Sequence, residues 1–253
     1  MISKNVIKHI RSLELKKNRV KEGLFVAEGP KVVADFMAVA SPVQLVATAR
    51  WYESQGITPR TNDVTVTDDE LRKVSFLQHP QQVMATFHIP SPTLSAHCAQ
   101  HELCLALDRV QDPGNLGTII RIADWFGIRH IICSQDTADA FNPKTVQATM
   151  GSLAHVNIVY TDLCAYLDRL PHDAPVYVTS LQGQSLYGQP LTPHGIIVMG
   201  NEGNGVSAEV MQRANRSLFI PSYGGQQADS LNVAVATAIT CAEFRRANSY
   251  PYH

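Results

Sequence analysis

From residue 103 onward the sequence alternates two kinds of segment. Short, continuously apolar runs occur at Leu103-Cys104-Leu105-Ala106-Leu107, His130-Ile131-Ile132-Cys133, Val156-Asn157-Ile158-Val159, Val176-Tyr177-Val178, Ile196-Ile197-Val198-Met199 and Leu218-Phe219-Ile220. Between several of them lie stretches of helical character, at 116–126, 143–150, 163–170 and 207–214, and a last one runs from about 230 to 246. A strand that is apolar at every position has no face to give to water. Strands of that kind alternating with helices predict a parallel sheet covered on both sides. Ligands of such sheets bind outside the carboxyl ends of the strands. The polar and glycine-rich segments 108–117, 200–205 and 221–232 fall at those ends, so a single shared site is expected there.

The N-terminal third is less regular. Val6, Ile7, Ile10, Leu13 and Leu15 recur at near-helical spacing within 2–18. Strand-like runs follow at 24–27, 45–48 and 83–87, and helices are predicted from Gly29-Pro30 through Ala38 and at 68–76, the latter capped by Thr67. The proline-punctuated stretch Ile89-Pro90-Ser91-Pro92-Thr93 reads as a connection. It divides the 253 residues into an N-terminal α/β domain, 1–95, and a larger domain, 96–253.

A hydrophobic fraction of 45% with 17% charged residues excludes a disordered or fibrous chain. The five cysteines are odd in number and scattered, with no Cys-x-x-Cys pair, which argues against a disulfide framework and for a reducing cytoplasm. No secretory leader and no membrane span are expected, since no run is apolar for long enough. The net charge of -1 conceals an uneven distribution: residues 1–31 hold eight basic side chains (Lys4, Lys8, Arg11, Lys16, Lys17, Arg19, Lys21, Lys31) against Glu14, Glu22 and Glu28. Such a segment concentrates a polyanion.

Three segments carry the chemistry. In the first, a strand ends at Leu107-Asp108, a Pro113-Gly114 turn follows, and a helix opens near Asn115, which is placed to cap it; Arg121 lies six residues further on. In the second, Gly200, Gly203 and Gly205 crowd a strand end, as suits close approach of backbone to a ligand. Their spacing is neither the Gly-x-Gly-x-x-Gly of dinucleotide folds nor a phosphate-binding Walker loop. In the third, Ile220-Pro221 precedes Ser230-Leu231-Asn232-Val233, with Ser230 read as the N-cap of the last helix.

Taken together, Asn115-x-Gly117-x-x-x-Arg121, Gly200-Asn201-Glu202-Gly203-x-Gly205 and Ile220-Pro221 with Ser230-Leu231-Asn232-Val233 resemble the three motifs of the SpoU (TrmH) family of RNA 2'-O-ribose methyltransferases, of the SPOUT class. The similarity is strong over 103–246. Residues 19–34, with Gly23-Leu24-Phe25-Val26-Ala27-Glu28-Gly29, look like the family's substrate-binding module. One departure is a loop between Gly224 and Ser230 about two residues longer than the family pattern, with Asp229 where glutamate is common.

The resemblance implies a parallel α/β domain with a C-terminal trefoil knot at about 195–244. It implies S-adenosylmethionine held by Leu181, Gly200, Gly203, Ile220 and Leu231. It also implies methyl transfer to a ribose 2'-hydroxyl of structured RNA, ribosomal or transfer RNA; the sizeable N-terminal module favours ribosomal RNA. Arg121 takes the central catalytic place, with Ser230 and Asn232 orienting the arginine and the ribose, and Asn115 and Glu202 holding Arg121. A guanidinium is a poor base, so its expected role is to stabilise alkoxide charge or bind a phosphate. A homodimer packed partly through the last helix is implied, in the cytoplasm, with no metal and no membrane.

Two readings from other classes stand beside this one: a non-catalytic RNA-binding or ribosome-assembly protein that retains the fold, and a nucleotide-dependent oxidoreductase. No Gly-x-Ser-x-Gly elbow anchors a serine hydrolase. The ligand-type residues of His97-Cys98-Ala99-Gln100-His101-Glu102-Leu103-Cys104 read as a polar linker entering a strand, because no second cluster completes a tetrahedral site.

Overall fold

A computed structural model describes residues 2–224 and 230–248. In chain order the elements are α1 (Lys4–Ser12), α2 (Lys16–Glu22), β1 (Leu24–Glu28), α3 (Pro30–Val39), β2 (Gln44–Thr48), α4 (Ala49–Gln55), β3 (Val64–Val66), α5 (Asp68–Val74), β4 (Val83–His88), β5 (Leu103–Leu107), α6 (Pro113–Trp125), β6 (His130–Ser134), α7 (Pro143–Ala148), β7 (Asn157–Thr161), α8 (Leu163–Leu167), β8 (Val176–Ser185), β9 (Gly195–Met199), α9 (Ala208–Met211), β10 (Arg216–Phe219) and α10 (Val233–Ala247). They form two units. One comprises Met1–Pro90 and Asp139–Ala154; the other comprises Ser91–Ala138 and His155–His253. Residues 139–154, which the expected division places with the larger domain, pack with the first unit: Phe141 lies 5.0 Å from Phe25, whose ring also meets Phe36 at 5.0 Å and Phe87 at 5.9 Å.

The first unit is a mixed four-stranded sheet in the order β1-β4-β2-β3. The single helix expected in 2–18 is two, separated at Leu13–Leu15, because Leu13 turns into the core while Leu15 stays exposed. The break frees the carbonyls of Leu13 and Glu14, and Arg19 satisfies both, its Nη1 donating to each at 2.7 Å. Arg19 Nη2 also meets Asp139 Oδ2 at 2.6 Å, and the residue is only 1% exposed. Arg19 therefore belongs to the core and not to the basic surface expected of residues 1–31; Lys4, Lys8, Lys16, Lys17 and Lys21 do face solvent. Thr67 caps α5 as predicted, and Glu70 completes a capping box with it. The short elements α4 and β3 gave no signal in the sequence.

The second unit is a six-stranded, wholly parallel sheet in the order β10-β8-β9-β5-β6-β7. All five residues of β5 are buried, because the two faces of the sheet are both covered. Cys104 and Ala106 face a cluster with Tyr166, Leu167, Val176, Val178, Ile196 and Val198. On α6, Leu116, Ile119, Ile120 and Ala123 are buried, and α6 packs on α10, where Phe244 meets Tyr177 edge to face at 4.9 Å. Among the described residues no helix is long and apolar enough to cross a membrane.

Two departures from the predicted elements bear on function. β8 runs well past the predicted 176–178, and its pairing with β10 breaks: Ser217 pairs with Val178, but Leu218 pairs with Gln184. Residues 179–183 are thrown out between these contacts. The chain must then come back against β10 so closely that a Cβ on Gly183 would stand 2.7 Å from the backbone of Ser217, which only glycine avoids. The last helix begins at Val233, later than predicted. Its N-cap is Asn232, whose Oδ1 accepts from Ala234 and Val235 N–H, and not Ser230.

Candidate active site at the carboxyl edge of the sheet

Three loops meet beyond the carboxyl ends of β5, β9 and β10. The first begins where Asp108 N donates to Met199 O, extending the β5–β9 pairing by one residue. Asp108 is buried, and its Oδ2 accepts from Ser207 N at 2.7 Å. Arg109 then takes a left-handed conformation, φ 60°, rare for a residue with a side chain. It is held there by Ser134 Oγ on its N–H, 2.9 Å, and by Asn201 Nδ2 on its carbonyl, 2.8 Å. Helix α6 follows, capped by Asp112, whose Oδ1 accepts from Asn115 N at 2.8 Å. The expected cap, Asn115, is instead inside the helix. Two capping residues compete here, and Pro113 decides between them, because proline fits the first helical position and so fixes the cap one residue before it.

The second loop, 200–205, is a tight turn closed by reciprocal backbone hydrogen bonds between Asn201 and Gly205, 2.9 Å each. A Cβ on Gly200 would fall 2.1 Å from the Gly205 carbonyl carbon, and Gly205 itself has φ +69°. Two of the three glycines are thus required by the turn itself, whereas a Cβ on Gly203 would make only an ordinary contact, 3.7 Å from Asn201 Oδ1. Asn201 Oδ1 accepts from Gly203 and Asn204 N–H, both at 3.0 Å. Asn201 is the structural pivot that the sequence reading passed over. An asparagine opening a glycine-rich turn signals this kind of side-chain bond to its own backbone.

Glu202, Asn115 and Asn232 join the loops. Asn232 Nδ2 donates to Asn115 Oδ1 at 2.9 Å, and Asn115 Nδ2 donates to Glu202 Oε1 at 3.0 Å. Glu202 also accepts from the backbone N–H groups of Asp112, 3.2 Å, and Gln111, 3.3 Å. Burial pushes the Glu202 carboxyl up, but hydrogen bonds from Asn115 and from these amides outweigh it and hold the group below the ordinary glutamate range. All three predicted motifs are therefore linked by side-chain contacts within one chain.

Other predicted residues lie around this relay without joining it. Leu181, 67% exposed, sits on the segment thrown out of β8. Ile220 follows β10 half-buried, and Leu231, 48% exposed, precedes the Asn232 cap. Ser230 is exposed and has no hydrogen bond among the described residues. The long loop at 225–229, including Asp229, lies outside the described residues. Arg121 is exposed on α6, on the same stripe as Thr118 and Trp125, and bonds to no described residue. Asn115 and Glu202 hold the loops together; within the chain neither they nor Asn232 holds Arg121.

Solved structures share this architecture along almost the whole chain. An AdoMet-bound rRNA methyltransferase from Sinorhizobium meliloti, 31% identical, superposes with a TM-score of 0.83 over 97% of this chain and 96% of its own. A TrmH-family protein from Porphyromonas gingivalis, 41% identical, reaches 0.86 over 97% and 99%. The second unit thus has the architecture of a SPOUT-type methyltransferase domain. The 23S rRNA (guanosine(2553)-2'-O)-methyltransferase RlmP of Bacillus subtilis is 35% identical over 94% of this chain and 95% of its own. The chain belongs to the SpoU rRNA methylase family, which it matches at residues 102–242, and residues 4–85 match an MRM3-like substrate binding domain.

Proposed function

We propose that this protein is an S-adenosylmethionine-dependent methyltransferase that modifies a ribose 2'-hydroxyl of ribosomal RNA. The observation that carries this reading is the Asn232–Asn115–Glu202 relay, which gathers the three motif loops at one edge of the sheet. The second unit, residues 91–138 and 155–253, would be the methyltransferase domain, with the trefoil knot at about 195–244, and the first unit, residues 1–90 with 139–154, the RNA-binding domain.

The carboxyl edge fits the cofactor. Leu181, on the irregular segment of β8, and Leu231, just before the cap of α10, stand exposed and offer apolar surface for an aromatic base, and the 200–205 turn directly follows β9. Leu181, Gly200, Gly203, Ile220 and Leu231 would hold it, largely through main-chain groups. When bound, S-adenosylmethionine supplies an electrophilic methyl group.

The chain's own residues prepare the nucleophile. A ribose hydroxyl is weak until its proton is leaving. Arg121 offers a guanidinium with no competing partner among the described residues, placed on a rigid helix, to stabilise the growing charge on the ribose oxygen. Asn232 is fixed at both ends by its cap and by Asn115, so its amide is oriented in advance; Ser230 stands two residues before it to orient the ribose. The exposed lysines of α1 and α2 attract the RNA backbone.

The protein works as a homodimer. Trp125, 85% exposed on α6, and Val235, 49% exposed on α10, leave apolar surface on two helices that pack together, and a second subunit would cover it. Scattered, unpaired cysteines support a cytoplasmic location.

The deciding experiment maps ribose 2'-O-methyl sites in ribosomal RNA from cells with and without the protein. One site is expected to disappear, and the guanosine for which the Bacillus relative is named is the first to inspect. An unchanged ribosomal map, or loss of a methyl group only from transfer RNA, overturns the reading.

A further inference from the structure

The ligand-type run between His97 and Cys104 takes no part in the site described above. In the fold, a 3-10 turn, Ala96–Gln100, lays Cys98 against the start of β5. Cys98 Sγ lies 3.6 Å from Cys104 Sγ and 3.8 Å from the Tyr166 hydroxyl. Cys98 is half-buried and Cys104 fully buried. Two sulfurs are too few for a structural zinc, which takes four ligands. They are the right number for another chemistry. A disulfide places its sulfurs about 2.05 Å apart, so this pair needs to close by only about 1.5 Å.

We propose that Cys98 and Cys104 form an oxidation-sensitive dithiol, in which Cys98 meets a hydroperoxide and Cys104 resolves the product into an intramolecular disulfide. The Cys98 thiolate attacks the terminal oxygen of the hydroperoxide, an S–O bond forms as the O–O bond breaks, and alkoxide leaves (hydroxide when the oxidant is hydrogen peroxide), to take up the proton that the Cys98 thiol gave up. Cys98 is thereby oxidised by two electrons to a sulfenic acid. The Cys104 sulfur then attacks Cys98, an S–S bond forms, the S–O bond breaks, and the departing oxygen leaves as water with the Cys104 proton. In sum two thiols and one hydroperoxide give a disulfide, water and an alcohol, or two waters when the oxidant is hydrogen peroxide. A small thiol reductant reverses the step by exchange.

The rest of the molecule explains why this pair is selected from five cysteines. Reactivity follows thiolate character and access. A hydrogen bond from Cys104 pulls the Cys98 thiol down, burial opposes it, and the Tyr166 hydroxyl adds to the pull, leaving the group at about 7. The hydrogen bond to Cys98 together with burial pushes Cys104 up, which suits a partner that acts second. Burial pushes Cys241 up to about 12 and raises Cys133 further. Cys164 is also raised by burial. Geometry sets the outcome: the sulfur nearest to an oxidised Cys98 is Cys104, on the same domain and seven residues of chain away counting both ends.

The test uses the full-length protein treated with hydrogen peroxide, alkylated and mapped by peptide mass. A peptide joining Cys98 to Cys104, lighter by two hydrogens, is expected, with free thiols falling from five to three and returning on reduction. In Cys104→Ser, Cys98 should halt as a sulfenic acid captured by a cyclic diketone. In Cys98→Ser, Cys104 should stay reduced. The proposal is overturned if all five thiols survive, if Cys98 is carried to sulfonic acid without pairing, or if it pairs with Cys164 or a second chain. The wild-type map decides the matter even where Cys104→Ser fails to fold. None of these readouts depends on methyl transfer.

Discussion

Arg121 and Glu202 are charged side chains in two contrasting settings. Arg121 is held by nothing in the described chain, so its charge is available to a ligand. Arg121→Ala should lower methyl transfer by about 100-fold or more while cofactor affinity, measured by calorimetry, changes by less than about twofold. Glu202 is the reverse case, a carboxylate engaged by Asn115 and by two backbone amides. Its lowered range means that the stabilisation is complete above the ordinary glutamate value, near pH 4.5, and is lost as pH falls through the lower folded value. The melting temperature of wild type should therefore drop faster with acid below about pH 4.5 than that of Glu202→Gln, by a small margin, since the residue is exposed. Equal slopes would remove the charge from the account. At this scale the motif residues were legible from their order along the chain. Their hydrogen-bond partners were not, because Asp112 and Asn115 offer the same cap chemistry, as do Ser230 and Asn232, and only the three-dimensional partner of each decides.

Among the elements, α10 depends on one residue twice over. Asn232 both caps the helix and ties it to α6 through Asn115. Asn232→Ala should cost about 1–2 kcal/mol in a urea melt, more than an ordinary cap because a second hydrogen bond goes with it. Arg19→Met should cost more, about 3 kcal/mol, since it strands Asp139 and two carbonyls where the first helix breaks. A loss under about 1 kcal/mol in that variant would show that the buried contacts are readily replaced. The parallel strands of the second unit were legible because continuous apolar runs have few other uses. The outward turn of β8 was not. It arises where the pairing of Leu218 skips five residues along its neighbour, and a register break between distant segments leaves no periodic trace in either one. The break between α1 and α2 was hidden for a related reason: Leu13 and Leu15 both fit a helical stripe, and only tertiary packing separates the buried one from the exposed one.

For the whole molecule, the apolar surface of α6 and α10 predicts the state in solution. Val235→Asp should convert a dimer to monomer in sedimentation velocity and lower methyl transfer with it, while the far-ultraviolet spectrum is retained. A wild-type monomer would refute the assembly. The division of the chain makes a second prediction. A fragment of residues 96–253 would expose Phe141 and Val146, which the first unit buries, and should bind a hydrophobic dye that the full chain does not.

That arrangement has a further consequence. A recognition module joined by a single hinge can be traded between enzymes at one splice point. Here the catalytic half lends residues 139–154 to its neighbour, so no single splice frees the module whole. Lineages that exchange the front of this protein for another must rewrite a stretch in the middle at the same time, and changes in the two places are expected to be inherited together.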